Sequence, residues 1–409
     1  MTKKSLFSGK RFLITQPMIR GLNGSTMVTL ELASYLKSCG AKVEVYTNIA
    51  LDPALSFFKK AGLRVIASRD EATFSINDYD YVWVHSLTLP RSLLDDLKIE
   101  RKKNPAFIFL HMSPLDWVPD EHPWIYQLEE KLSSLSLYIS DGTLKSNEKY
   151  GLPKKTGFYR NPAPVEFAES ARKAAPTELK RLLIVSNHPP KEVLEAAEIL
   201  KKRGVAVDKL GEGQAKYSLV TPELLKKYDA VVTIGKTVQY CLVTNTPVYV
   251  YDHFGGDGWL TDKNYAYTKT YNFSGRFTSQ KTSNKIADEL VAGFSDAVTF
   301  QNSLSAEEKE EYMLNRVLEK IFSQVEPRKL SAFNSEYIES VKAAEFCSEI
   351  RFIASEELGD LRDSTFDLRE RCSFYKTELE NVTSAKSYRI FNTLLKPYKK
   401  LRSLGRKRA

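Results

Sequence analysis

The chain has 409 residues, 42% of them hydrophobic, enough for two medium-sized domains with cores of their own, and this excludes a largely disordered protein. A net charge of +9 implies an anionic partner, which could be nucleic acid, anionic lipid or a phosphate-rich substrate, and where the charge sits decides among them. Cys39, Cys241, Cys347 and Cys372 are widely spaced with no CxxC pair, which speaks against a zinc cluster or a disulfide framework and fits a reducing compartment.

The first apolar run, 11–16, is too short for a secretory signal and reads as a strand. No stretch approaches the roughly 20 apolar residues that span a bilayer, so the expected location is the cytoplasm. Gly21, Asn23, Gly24 and Ser25 then form a loop at the start of an amphipathic helix whose apolar positions include Met27, Leu30, Leu32 and Leu36. That loop either faces a ligand or merely caps the helix. A helix over 53–61, strands at 63–66 and 81–85, a helix over 90–98 and strands at 106–110 and 137–140 continue the alternation of a parallel sheet covered on both faces. His111 stands at a strand's carboxyl end, where it could act as a base or only pack. Asp116 and Trp117 follow, a sugar platform or a local turn. A proline-rich phrase at 159–164 and the polar run to Lys180 close the first domain.

A strand at 181–185 restarts the pattern and leads through Ser186, Asn187 and His188 to a proline-led helix over 191–203. His188 is either exposed at that helix start or helps to hold a phosphate. A strand at 206–210 meets Gly211-Glu212-Gly213, and a helix is expected over 217–229. Two β-rich runs, 230–234 and 248–251, then bracket Gly235, Lys236 and Thr237, where a buried strand turns into a helix carrying Gln239 and Tyr240. Gly235 lets backbone approach a ligand, the first N–H groups of the helix point outward, and Lys236 adds a charge where the helix dipole is already positive. This suits a phosphate. His253, Gly255, Gly256 and Asp257 read as a permissive loop at the carboxyl edge of the sheet. Ser274, Gly275 and Arg276 make a turn whose guanidinium could grip a phosphate bidentately or lie on the surface. Helices follow over 283–294 and 305–322.

The order of acidic residue, strand, glycine, short helix, Thr-Pro-Val and strand, with GKTVQY and YDHFGGDGWL, resembles the nucleotide-sugar half of GT-B glycosyltransferases, and in particular bacterial enzymes that build surface polysaccharides. The resemblance implies an α/β chain of two Rossmann-like domains: an acceptor domain 1–165, a linker 166–180, a nucleotide-sugar domain 181–302 and a closing helix 303–326. It implies a donor held by His188, Gly235, Lys236, Thr237, Gln239, Tyr240, His253, Gly255, Gly256, Asp257 and Arg276, with Gly21, Asn23, Gly24 and Ser25 facing the cleft. His111 or Asp116 would be the catalytic base if the reaction inverts. The nucleotide sugar is substrate and no cofactor or metal is implied, because basic groups neutralise the diphosphate. Many retaining members carry a glutamate seven residues before the proline of Thr-Pro-Val; here that position, counted from Pro247, is Tyr240. A catalytically silent scaffold in a synthase complex and a nucleotide-sugar epimerase therefore stand as alternatives.

Past Pro327 the pattern changes. Cys347, Ala354, Leu358, Leu361, Thr365, Leu368, Cys372, Tyr375, Leu379 and Val382 lie mostly at alternating three- and four-residue steps, which predicts a coiled coil over 333–385 that joins copies of the chain, or a long helix packed on its own domain. From Lys386 onward no acidic residue occurs, and cations surround Tyr388, Phe391, Leu394, Leu395, Tyr398, Leu401 and Leu404 at helical spacing. Segment 386–409 thus predicts an amphipathic helix on the anionic inner face of the cell membrane. Nucleic acid is the rival partner, but it would leave the apolar face unused. The expected acceptor is a lipid-linked or polysaccharide glycan.

Overall fold

A computed structural model describes residues 6–70, 72–86, 88–101, 104–115, 126–211, 218–276 and 278–384. The chain divides into two compact units, Met1–Glu349 and Ile350–Ala409. Asp116, Trp117, Glu212, Gly213 and the basic tail 386–409 lie outside the described residues.

The first half of the larger unit runs β1 (Arg11–Ile19), α1 (Gly24–Ser38), β2 (Lys42–Ala50), α2 (Ala54–Lys60), β3 (Arg64–Ala67), β4 (Tyr81–His85), α3 (Arg91–Asp95), β5 (Ala106–His111), α4 (Tyr126–Leu132), β6 (Ser133–Tyr138), α5 (Asp141–Asn147) and β7 (Thr156–Phe158). The seven strands form one parallel sheet in the order β3-β2-β1-β4-β5-β6-β7. Its middle strands are buried on both faces, as their near-continuous apolar sequences require. One face packs Phe12, Ile14, Trp83 and Ile108 against α1, and the other packs Val82, Val84, Phe107 and Phe109 against α3 and α4. The Asn23 side chain caps α1 by accepting from the Thr26 N–H at 2.9 Å.

After α6 (Val165–Glu169), which occupies part of the segment read as a linker, the second half begins. It runs β8 (Arg181–Val185), α7 (Lys191–Lys202), β9 (Ala206–Leu210), α8 (Pro222–Leu225), β10 (Ala230–Thr233), α9 (Lys236–Thr244), β11 (Val248–Asp252), β12 (Gly255–Trp259), α10 (Tyr265–Thr270), α11 (Ser283–Ala292), α12 (Phe294–Ser303), α13 (Ala306–Glu310) and α14 (Leu314–Phe322). Its sheet has the order β12-β11-β10-β8-β9, parallel except for β12. Each sheet therefore reverses its strand order once, between β1 and β4 in the first and between β8 and β10 in the second. Such switch points open a crevice at the carboxyl edge.

Three local expectations are corrected. Residues 255–257 are not a loop but part of β12, which pairs antiparallel with β11 because Gly256 packs its backbone against Val250 and Tyr251. The helix expected over 217–229 is only α8 within the described part, started by the Thr221 side chain and Pro222. The helix over 305–322 is two, interrupted where Met313 bridges Ala163. That bridge returns the chain to the first half, where Leu314, Val317, Leu318, Ile321 and Phe322 of α14 enter the same core as Phe12 and Trp83.

The last helix, α15 (Ser335–Ser384), begins on the first half. Ile338 and Val341 join its second core. Lys342 pairs with Asp95 at 2.9 Å, Lys98 pairs with Glu339, Arg91 pairs with Glu349, and Glu345 is nearly buried. Within the smaller unit the described chain continues this helix to Ser384, with Leu358, Leu361 and Leu368 exposed.

Candidate functional site

A cavity of about 520 Å³ lies at the carboxyl edges of both sheets. The second half contributes the residues that follow its switch strands. Ser186, Asn187 and His188 leave β8, and Ile234, Gly235, Lys236 and Thr237 lead from β10 into α9. Gly235 makes this turn at φ +58°, ψ −132°, its N–H donating to Phe273 O at 2.9 Å. A side chain would strain that backbone. At the end of β11 the buried Asp252 carboxylate accepts from Ser186 Oγ at 3.0 Å and from the His253 N–H at 2.8 Å, and His253 Nδ1 stands 3.5 Å from it. Gly211, after β9, has no room for a Cβ because the Ser186 carbonyl abuts it.

From the first half come Leu22, Asn23, Gly24, Ser25 and Met27 at the start of α1, and Met112 and Ile139 just past β5 and β6. Gly21 lies outside this lining. Asn161 joins the halves, its Nδ2 donating to Asn272 Oδ1 at 3.2 Å.

Lys236 is not the solvent-facing cation that its place in the sequence predicts. Only 7% exposed, it lies 2.6 Å from the Glu31 carboxylate of α1 and donates to the Pro162 carbonyl at 2.7 Å. The Tyr240 hydroxyl donates to the other Glu31 oxygen, and its ring stacks on Phe167 with centroids 4.2 Å apart. Burial pushes the Glu31 carboxyl up and the Lys236 ammonium down, and their mutual attraction opposes both shifts. So α9, without a glutamate of its own at the Tyr240 position, meets one from the other half. Gln239 is buried behind it, its amide 3.0 Å from that of Asn272.

Several predicted residues are not brought to this cavity. His111 is buried with Nε2 2.9 Å from Glu129 Oε1 and lines a separate cavity of the first half. Its strand position turns it to the opposite face from Met112. Arg276 lays its guanidinium 3.6 Å over the Phe254 ring, and burial lowers its pKa. Gly255 and Gly256 are held in β12 by close backbone packing, and Asp257 accepts from Thr268 Oγ1 at 3.3 Å, its pKa raised by burial. Asp116 lies outside the described residues.

The sequence reading missed Glu31 and Asn272. A carboxylate between Leu30 and Leu32, in a helix that otherwise buries its apolar residues, was the available signal for the first. Asn272 has a left-handed backbone, φ +54°, but nothing in its neighbourhood of sequence marks it.

No family model matches the sequence, and no curated protein matches it. Solved structures do resemble the fold. A glycosyltransferase from Rickettsia africae superposes with a TM-score of 0.49 at 14% identity, over 77% of this chain and 97% of that one. A lipopolysaccharide outer core galactosyltransferase gives 0.45 at 11% identity, over 77% and 99%. A UDP-N-acetylglucosamine 2-epimerase gives 0.43 at 10% identity, over 80% and 100%.

Proposed function

We propose that this chain is a glycosyltransferase that moves a sugar from a nucleotide-sugar donor to a lipid-linked or polysaccharide acceptor of a bacterial cell surface. The observation that carries the reading is the cavity itself, placed where both sheets reverse their order and entered by the Gly235-Lys236-Thr237 turn. In the reaction the bond from the anomeric carbon to the diphosphate breaks, the acceptor oxygen bonds to that carbon, and the hydroxyl proton leaves to a base. Charge grows on the departing phosphate oxygen, so the start of α9 is the group that lowers the barrier, while Lys236, paired with Glu31, fixes that turn in place. His188, in the loop that leaves β8, completes the phosphate side. Metal is not needed in this scheme.

Thermal unfolding of the full chain with a panel of nucleotide sugars tests the donor assignment. The matching donor at 100 times its Kd adds about 2.7 kcal/mol to stability. His188→Ala should reduce that shift, and a panel with no stabilising member defeats the proposal.

A silent scaffold is the second reading, favoured by one observation: Tyr240 stands where the resemblance to retaining GT-B enzymes implies a carboxylate. A Thr237→Asp variant, which sets a negative charge at the helix start, separates the two, since a catalyst loses glycan synthesis in cells and a scaffold keeps it.

The exposed Leu358, Leu361 and Leu368 on α15 support self-association, and the basic sequence 386–409 supports attachment to anionic membrane from the cytoplasmic side. No described helix is long and apolar enough to cross a membrane.

A further inference from the structure

The second cavity, about 220 Å³, is cut into the first half beside β5 and β6, between α4 and α5. Tyr126, Tyr138 and Tyr150 wall it, with His111, Glu129 and Asn147 supplying polar atoms. Its chemistry is built. Glu129, though 3% exposed, accepts from His111 Nε2 at 2.9 Å and from Ser136 Oγ at 2.6 Å, and the His111 ring stacks on Tyr138 at 4.9 Å with an interplanar angle of 14°. The Asn147 amide nitrogen is fixed on the Thr143 carbonyl at 2.9 Å.

Size and lining both restrict what fits. At about 220 Å³ the cavity is below the roughly 300–1,000 Å³ of sites for drug-sized molecules, so it holds one ring and not a nucleotide. The described lining carries two carboxylates, Glu129 and Glu130, and no lysine or arginine, and Lys149, whose ammonium lies 5.0 Å over the Tyr150 ring, is the cation beside it, so the lining itself disfavours a phosphate or carboxylate. Aromatic faces beside fixed hydrogen-bonding groups suit a ring with apolar C–H faces and an equator of hydroxyls. The two cavities are neighbours in sequence on opposite faces: His111 and Tyr138 line this one, and the residue that follows each, Met112 and Ile139, lines the cleft.

We infer that this cavity is a pocket for a neutral pyranose ring, one sugar of the acceptor glycan, set a strand's thickness from the donor cleft. Its assignment to the acceptor rests on the transferase reading above; the sugar pocket itself does not.

Saturation-transfer NMR on the full chain, with methyl glycosides of glucose, galactose, mannose and N-acetylglucosamine as probes, is the test. At least one neutral glycoside should receive saturation. Tyr126→Ala should cut that signal fivefold or more, and Tyr126→Phe should keep it. Tyr126 is 43% exposed, so its truncation leaves the core intact, and Tyr150→Ala provides a second variant. Saturating nucleotide should not displace the glycoside. The inference is overturned if no glycoside binds, if neither alanine variant weakens the signal, if nucleotide displaces it, or if the cationic methyl glucosaminide outbinds every neutral probe. Nucleotide-sugar thermal shifts in the same samples keep the two readings apart. Glycoside binding without a nucleotide response upholds the pocket while removing its assignment to a transferase acceptor.

Discussion

Lys236 shows how much a residue's role depends on a partner far away in the chain. Its neighbours Gly235 and Thr237 mark the turn from β10 into α9, and that much was legible locally, but Glu31 lies more than two hundred residues earlier and nothing in the local pattern connects the two. Removing one member of a buried ion pair strands the other, at a cost of about 3–5 kcal/mol. Lys236→Met or Glu31→Gln alone should lower unfolding stability by that order in denaturant titrations. The double variant should lose clearly less than the two losses added, and strict additivity would show that the pair is not coupled. Gly256 makes a second residue-scale case. Its glycine reads as loop freedom, yet a Cβ there would collide with the Val250 carbonyl inside β12. Gly256→Ala should therefore destabilise by about 1–3 kcal/mol, seen as a lower Tm. An unchanged Tm with lost donor binding would restore the loop interpretation.

At the scale of elements, the alternation of strands and helices was legible because both sheets bury their central strands, leaving runs such as 106–110 and 230–234 almost free of polar residues. The short or edge elements were not. β7 is only three residues, β12 is mostly glycine, and α13 and α14 are separated by a backbone bridge that no local signal announces. The start of α15 supplies a prediction of its own. Burial raises the Glu345 carboxyl from 4.5 to about 8, so the folded chain keeps its proton over a range where the unfolded chain has lost it. This group's effect is absent below about pH 4.5 and grows more destabilising as pH rises to about 8. Glu345→Gln, which cannot ionise, should thus raise the Tm at pH 8 and change it little at pH 4.5. A gain confined to the acidic end would contradict the shift.

For the whole molecule, the two-sheet architecture followed from counting alternations, whereas the separation of His111 from the cleft did not, because one step along a strand reverses the face a side chain takes. The basic tail belongs to this scale as well. If the tail attaches the chain to membrane as proposed, deleting 386–409 should move the protein from the membrane pellet to the supernatant of a lysate, and unchanged pelleting would contradict that attachment. One feature of the chain's path reaches further. Because Leu314 to Phe322 lie in the core that begins at Phe7 and Phe12, the first half is discontinuous in sequence. A nascent chain emerging from the ribosome cannot finish that half when its last strand appears; it must hold an open apolar face around Trp83 until more than three hundred residues have been made. The first half thus completes its core only after the second has been made. A fragment ending at residue 165 should aggregate or exchange its amides rapidly, and co-expression with segment 303–349 should rescue it.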